Sequence, residues 1–361
     1  MALQNTRFKR HFSHLALAVM LSGMAFSTLA ADTVLRKPVG FGEYEIVYNP
    51  NNNAVYAATT KQRSEPGGAV YQLNASTLDT THVIDTPNKA FGAALNSKTN
   101  TLYFGDTFTS ALMAVDASTG KVAGTLALVP QAAAQDKKPG AEKNRPPAPR
   151  ELAVNEATNT IYVGGIGRAD SVIWVVDGKN LTLKHTITHL GKLNTGLALD
   201  SQTNRLYTTN ADGELIIIDT TNNKVLERHK IVDDGKDHML LNISLDTQGQ
   251  RAFISDGKEP GLFVVDLKTN KVVNHIATPT SVAVLFNAKR DEIYATHRTD
   301  GSVSIIDGKT LAVTKTIKLP VHPNSLAVSP DGNTLYVTVK QEASRTKPAT
   351  APDDIVRIAL N

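Results

Sequence analysis

The side chains of this 361-residue chain best suited to chemistry are three histidines and a set of cations spread along its length. Imidazole is a common ligand for Zn, Cu and Fe, and His238, His297 and His322 fall in or beside corresponding loops of three successive sequence repeats. No short ligand spacing links them, and a lone loop histidine is usually just solvated, so they are weak metal candidates and no cofactor is expected. The cations Arg150, Arg168, Lys258, Arg298 and Lys340 fit a different chemistry. A single-stranded nucleic acid needs a basic groove for its phosphates and aromatic faces for its bases, and Phe91 and Phe108 could supply the faces. Trp174 lies inside an apolar run and is expected to be buried. No phosphate-binding glycine loop, His-Glu-x-x-His helix or Gly-x-Ser-x-Gly elbow is present. With no cysteine, thiol catalysis, thiolate metal sites and disulfides are excluded, and the chain is not expected to be an enzyme.

The elements that must position these residues are short strands. Thr195–Ile231 contains four apolar or alternating runs bounded by Asn, Asp, Gly and Thr clusters, with no helical period. The pattern recurs seven times, aligned on Tyr56, Tyr103, Tyr162, Tyr207, Phe253, Tyr294 and Tyr336. Steps of 41 to 59 residues between these aromatics match the four-stranded blade of a β-propeller. The third strands end in Asp116, Asp177, Asp219, Asp266 and Asp307, with Asn74 in the first copy. An aspartate that recurs in this way before a turn reads as turn chemistry rather than catalysis. The expected fold is therefore all-β, a seven-bladed β-propeller. The last copy lacks a fourth strand, and Thr33–Lys37 is the one unclaimed strand-like stretch. Its pairing with Ile355–Ile358 would close the ring and remove exposed edges.

Residues 1–31 read as a cleaved secretory signal peptide: Arg7, Lys9 and Arg10 precede an apolar core over Leu15–Phe26 and a small-residue cleavage region. Residues 32–361 then form the propeller domain, expected in the periplasm as a monomer without membrane insertion. The formal net charge of +4 falls to +1 once the three leader cations are set aside, so no whole-molecule electrostatic case for nucleic acid remains. An Ala/Lys/Pro-rich insertion over 129–149 is expected to be mobile.

In a propeller the loops from second to third strands and from fourth to first strands share one face, at the mouth of the central channel. All of the candidate cations and histidines fall there, together with acids such as Glu43, Asp106, Glu151, Asp256 and Asp300. The opposite face holds tight turns.

Tyr207-Thr208-Thr209-Asn210, Tyr294-Ala295-Thr296-His297 and Tyr336-Val337-Thr338-Val339, with Ser325–Gly332 before the last, resemble the repeats of YVTN-type β-propellers. Pro149–Leu152, Ser171–Asp177, Asp233–Lys236 and His322–Ser325 are similar to an enterobacterial periplasmic branch of that family, while Val129–Pro147 departs from it. The resemblance implies a seven-bladed periplasmic propeller able to bind single-stranded DNA. Two further classes stay open: a propeller enzyme or metal- or cofactor-dependent oxidoreductase, and a scaffold docking an envelope protein.

Overall fold

The computed structural model of the chain describes Met1 and residues 33–130, 145–320, 322–344 and 346–361. The expected signal peptide and most of the 129–149 insertion lie outside the described residues. Seven antiparallel four-stranded sheets are present, with no helix among the described residues. They are the blades of a seven-bladed β-propeller.

Each blade follows one burial rule, which explains its sequence pattern. The first strand lies innermost and the fourth outermost. In the fourth blade the strands run Gly196–Asp200, Arg205–Thr209, Glu214–Asp219 and Lys224–Lys230. Neighbouring blades cover both faces of the middle two, so Leu206, Leu215, Ile216 and Ile218 are fully buried and the runs are continuously apolar. The fourth strand lies at the rim, is mostly exposed and alternates. Its pairing with the third strand shifts register at Ile217/Ile218, and the same irregularity recurs at Gln72/Leu73, Ala114/Val115, Val175/Val176, Val264/Val265 and Ile305/Ile306. A bulge of this kind twists an edge strand and makes it a poor template for aggregation.

The recurring aspartates do what turn chemistry requires. Asp177 Oδ1 accepts the backbone N–H groups of Lys179 and Asn180, and Asp116, Asp266 and Asp307 repeat the arrangement, as does Asn74. These hydrogen bonds hold the carboxyls of Asp177, Asp266 and Asp307 below their ordinary range. The residue four places on enters the left-handed region, at φ 57° for Leu78, 48° for Leu181 and 58° for Leu311. Leu78 offsets that strain by burying its side chain.

The aligned aromatics join blades. Tyr56 donates its hydroxyl to the carbonyl of Ala117 in the next blade at 3.3 Å, and Tyr336 donates to that of Ala75 at 2.8 Å. Such bonds contribute about 1 kcal/mol each. Trp174 is buried, as its apolar run requires.

The ring closes where the sequence places the closure. Strand β1 (Val34–Gly40) pairs antiparallel with β28 (Asp353–Ala359), Val34 opposite Ile358 and Lys37 opposite Ile355. β28 continues to β27 (Thr334–Lys340) and β26 (His322–Val328), which completes the last blade. Arg36 fastens the seam to Asp354 with an Nε–Oδ2 hydrogen bond of 2.9 Å. Deleting residues 33–37 is expected to lower the melting temperature and to expose β28 as an aggregating edge, read by thermal melts with light scattering. An unchanged melt would mean that the ring holds without its fastening strand.

Candidate functional site

The first strands converge on the channel, and two consecutive residues at the head of each supply its wall. Tyr44–Glu45, Phe91–Gly92, Arg150–Glu151, Leu241–Asn242, Val282–Ala283 and Asn324–Ser325 occupy one repeat position in six blades, and Thr195 holds it in the remaining one. With residues from the second-to-third-strand loops, including Arg298, they enclose a cavity of about 410 Å³. That size lies within the range of small-molecule sites.

An aromatic ladder leads from the rim into this cavity. Phe108 is 51% exposed on the loop after the second strand of blade two, and its ring meets Phe91 edge-on at 5.4 Å between centroids. Phe91, itself buried, meets the ring of Tyr44 at a tilt of 60° and 4.6 Å between centroids, and Tyr44 is the second residue of β2 (Glu43–Asn49). The Arg150 guanidinium stands 5.4 Å from the Tyr44 ring and the Lys340 ammonium 4.0 Å from it, both within cation–π range. Gly92 beside Phe91 has no alternative, because a Cβ there would stand 1.6 Å from the Arg150 carbonyl oxygen. Blade seven fixes Tyr44 from behind, where Asn324 Nδ2 donates to its carbonyl at 2.9 Å.

Beyond Phe108 lies a second, shallower cavity of about 290 Å³ bordered by Arg63, Lys89, Asp106 and Phe108. The Lys89 ammonium organises its edge by donating to the carbonyls of Thr60, Gln62, Glu65 and Gly67 at 2.6 to 3.2 Å. The loop that carries Arg63 is thereby wrapped around one half-buried ammonium.

The structure separates the expected site residues into groups. Arg150, Arg298 and Phe91 line the channel cavity, and Phe108 stands at its mouth. Arg168 is exposed on a loop and does not line the cavity. Lys258 is half exposed, 3.9 Å from Asp237. Lys340, read as a loop cation, instead ends β27: its side chain is 14% exposed, it donates to the Glu43 carbonyl, and it lies 3.6 Å from Asp353. It acts on Tyr44 and the ring seam rather than on solvent. Phe91 precedes the first strand of its blade, Ala93–Asn96.

The three histidines are each occupied separately. His238 is buried with Nδ1 2.6 Å from Asp256 and Nε2 2.8 Å from Asp234. Burial disfavours its charge, but the two aspartates outweigh burial and raise its pKa. His297 is not in a loop: it ends a second strand, Glu292–His297, fully buried between Ser281 Oγ at 3.1 Å and Ser304 Oγ at 2.8 Å, and burial lowers its pKa. His322 Nδ1 lies 3.0 Å from the Arg298 carbonyl and steadies that arginine's backbone. No group of three or more His, Cys, Asp or Glu among the described residues is placed to hold a metal ion.

Two features of the wall were not singled out from the sequence. Tyr44 is the hinge of the ladder, and Glu45 with Glu151 forms a carboxyl pair inside the channel. Burial, then for Glu45 the charge of Glu151, pushes both above the ordinary carboxyl range, against the pull of Arg150. Ser325 donates its hydroxyl to Glu45. The available signal was positional, since Tyr44–Glu45 and Arg150–Glu151 stand at the same place in the repeat.

Behind Tyr44, Glu43 is fully buried and neither carboxyl oxygen has a hydrogen-bond partner. Burial first, then Asp353, raises its pKa well above the ordinary glutamate value, and nearby Lys340 compensates only in part. The folded state therefore retains a proton that the unfolded chain releases. The associated stability is present below the unfolded pKa and lost as pH rises through the folded one. Glu43→Gln is expected to leave the melting temperature almost unchanged in mild acid and to raise it above wild type increasingly toward pH 8. A constant difference across that range would show that Glu43 does not titrate in this way.

No protein-family model matches the chain. The uncharacterized protein YncE of Salmonella typhimurium strain LT2 is 52% identical over 347 residues, which cover 96% of each chain. The YncE proteins of Escherichia coli O157:H7 and strain K12 are 52% and 51% identical over the same coverage. Among solved structures, a chain of a mitotic checkpoint complex superposes with a TM-score of 0.68 at 16% identity, covering 99% of both chains. The structure of U3-55K gives 0.71 at 15% identity, covering 92% of this chain and 99% of that one. At such identities these two likenesses concern the fold alone.

Proposed function

The chain belongs to the YncE family of β-propeller proteins, and on that footing we propose that it is a periplasmic binding module whose channel-mouth face holds single-stranded DNA. The observation that carries this reading is the ladder from exposed Phe108 through Phe91 to Tyr44, flanked by Arg150 and opening into the cavity that Arg298 also lines. An exposed aromatic with cations spaced around it suits a base stacked on Phe108 and phosphates drawn toward the arginines, with little sequence preference. Arg63, Arg168 and Lys258 would extend the path across the rim. Buried Lys340 would act through Tyr44 instead of touching a phosphate.

The signal-peptide reading supports the periplasmic part. N-terminal sequencing of the exported protein is expected to begin near Ala31 or Asp32; membrane-bound material that keeps Arg7 would contradict export by cleavage.

Binding is tested by fluorescence anisotropy of a labelled oligonucleotide at several salt concentrations. Arg150→Ala is expected to weaken binding to all sequences and to flatten the slope of log affinity against log salt by about 0.7, the value for one phosphate on a single strand. Phe108→Ala is expected to cost about 1 to 3 kcal/mol while leaving that slope unchanged. Lys98→Ala and Lys309→Ala, in turns of the opposite face, serve as controls and are expected to change little. Equal losses from both faces, or an affinity indifferent to salt, would favour a protein-docking role.

A further inference from the structure

The channel wall combines charges in a way that base stacking at the rim does not require. Arg150 and Arg298 come from blades three and six, and they lie close enough for each charge to act on the other. Among the described residues neither side chain has a carboxylate ion pair, and Arg298 Nε is buried without a hydrogen-bond partner. Two guanidinium groups that line one cavity offer it two planar sets of donors, which suit a planar or tetrahedral oxyanion.

We infer that the channel cavity is itself a binding site for one phosphate group, monoester or diester, held between Arg150 and Arg298 with the Glu45–Glu151 pair beneath it. This goes beyond the rim reading, because the same two arginines would take the phosphate of a free nucleotide or of one nucleotide in a strand. A cavity of about 410 Å³ walled on one side by Tyr44 and Phe91 leaves room for the base as well as the phosphate.

Acids in an anion site need a reason, and the geometry supplies one. Glu45 faces Glu151, Arg150 and the Ser325 hydroxyl, with Arg298 across the cavity and Glu43, Lys340 and Asp353 behind Tyr44. Two carboxyls at such quarters do not both ionise readily, and a protonated carboxyl is a hydrogen-bond donor toward a phosphate oxygen. An arriving phosphate favours that protonated form. Binding therefore draws a proton from solvent, and affinity falls as pH rises through the range in which the pair ionises.

Calorimetric titration of the whole protein tests this with thymidine 5′-monophosphate, inorganic phosphate and a short thymidine oligonucleotide, each in two buffers of different ionisation enthalpy. One site with net proton uptake is expected for the nucleotide. Glu45→Gln should abolish the uptake and with it the fall in affinity as pH rises, and Arg150→Ala and Arg298→Ala should each weaken binding at least tenfold. Thermal melts of the three variants verify folding, and Glu45→Gln remains decisive if an arginine variant fails to fold. Inorganic phosphate binding as tightly as the nucleotide would assign the site to free phosphate. Displacement of the oligonucleotide by the nucleotide would place the cavity on a strand's path. Oligonucleotide binding with none by the nucleotide or inorganic phosphate overturns the cavity site and spares the rim reading. Nucleotide binding without any by the oligonucleotide does the reverse. Binding without proton uptake, or uptake that survives Glu45→Gln, overturns the role given to the carboxyl pair.

Discussion

The seam between the first and last strands is the constraint on which the rest of the molecule depends. A four-stranded blade has two apolar faces and can cover neither by itself, so each blade is stable only between two neighbours and the series has to close. Closure rests on the pairing of β1 with β28. The seam also reaches the functional face. The Asp353 carboxylate accepts the N–H groups of Glu43 at 2.8 Å and Gln341 at 2.6 Å, and it lies 3.6 Å from Lys340, whose ammonium stands over Tyr44. The strand pair that fastens the ring thus positions the innermost aromatic of the candidate site.

The channel concentrates charge that the molecule as a whole does not carry. Lys340, Glu43, Glu45 and Glu151 are all displaced from their ordinary pKa values chiefly by burial. Such groups destabilise a fold unless paired or neutralised, and Glu43 has no hydrogen-bond partner for either oxygen. The histidines show the opposite solution. Each is held by partners in its own neighbourhood, and His238 between two aspartates pins the loop before the fifth blade's first strand.

The propeller was legible because its determinants are local. Alternation and continuous apolar runs identify strands, the aspartates identify turns through bonds to residues two and three places on, and the seven aromatics set the period. Even the closing pairing could be read, because one strand was missing and one stretch was unclaimed. The site was legible only in part. The types and places of Arg150, Arg298, Phe91 and Phe108 mark them as candidates, whereas Tyr44 and Glu45 sit within a strand pattern that gives no sign of the channel.

The physical reason for that division is the ring. Sequence by itself determined the blades, their number and their order, since each blade is specified by contacts among residues close along the chain. Tertiary structure decided which cations face the channel and which lie buried or on the rim. Seven strand heads, far apart in sequence, meet only after closure, and the repeat leaves the side chain at each head free to differ, from Tyr44 and Phe91 to Arg150 and Thr195. Closure brings Arg298, from a loop of blade six, near Arg150 and sets Glu45 beside Glu151, and it leaves Lys340 buried beneath the face it was expected to decorate.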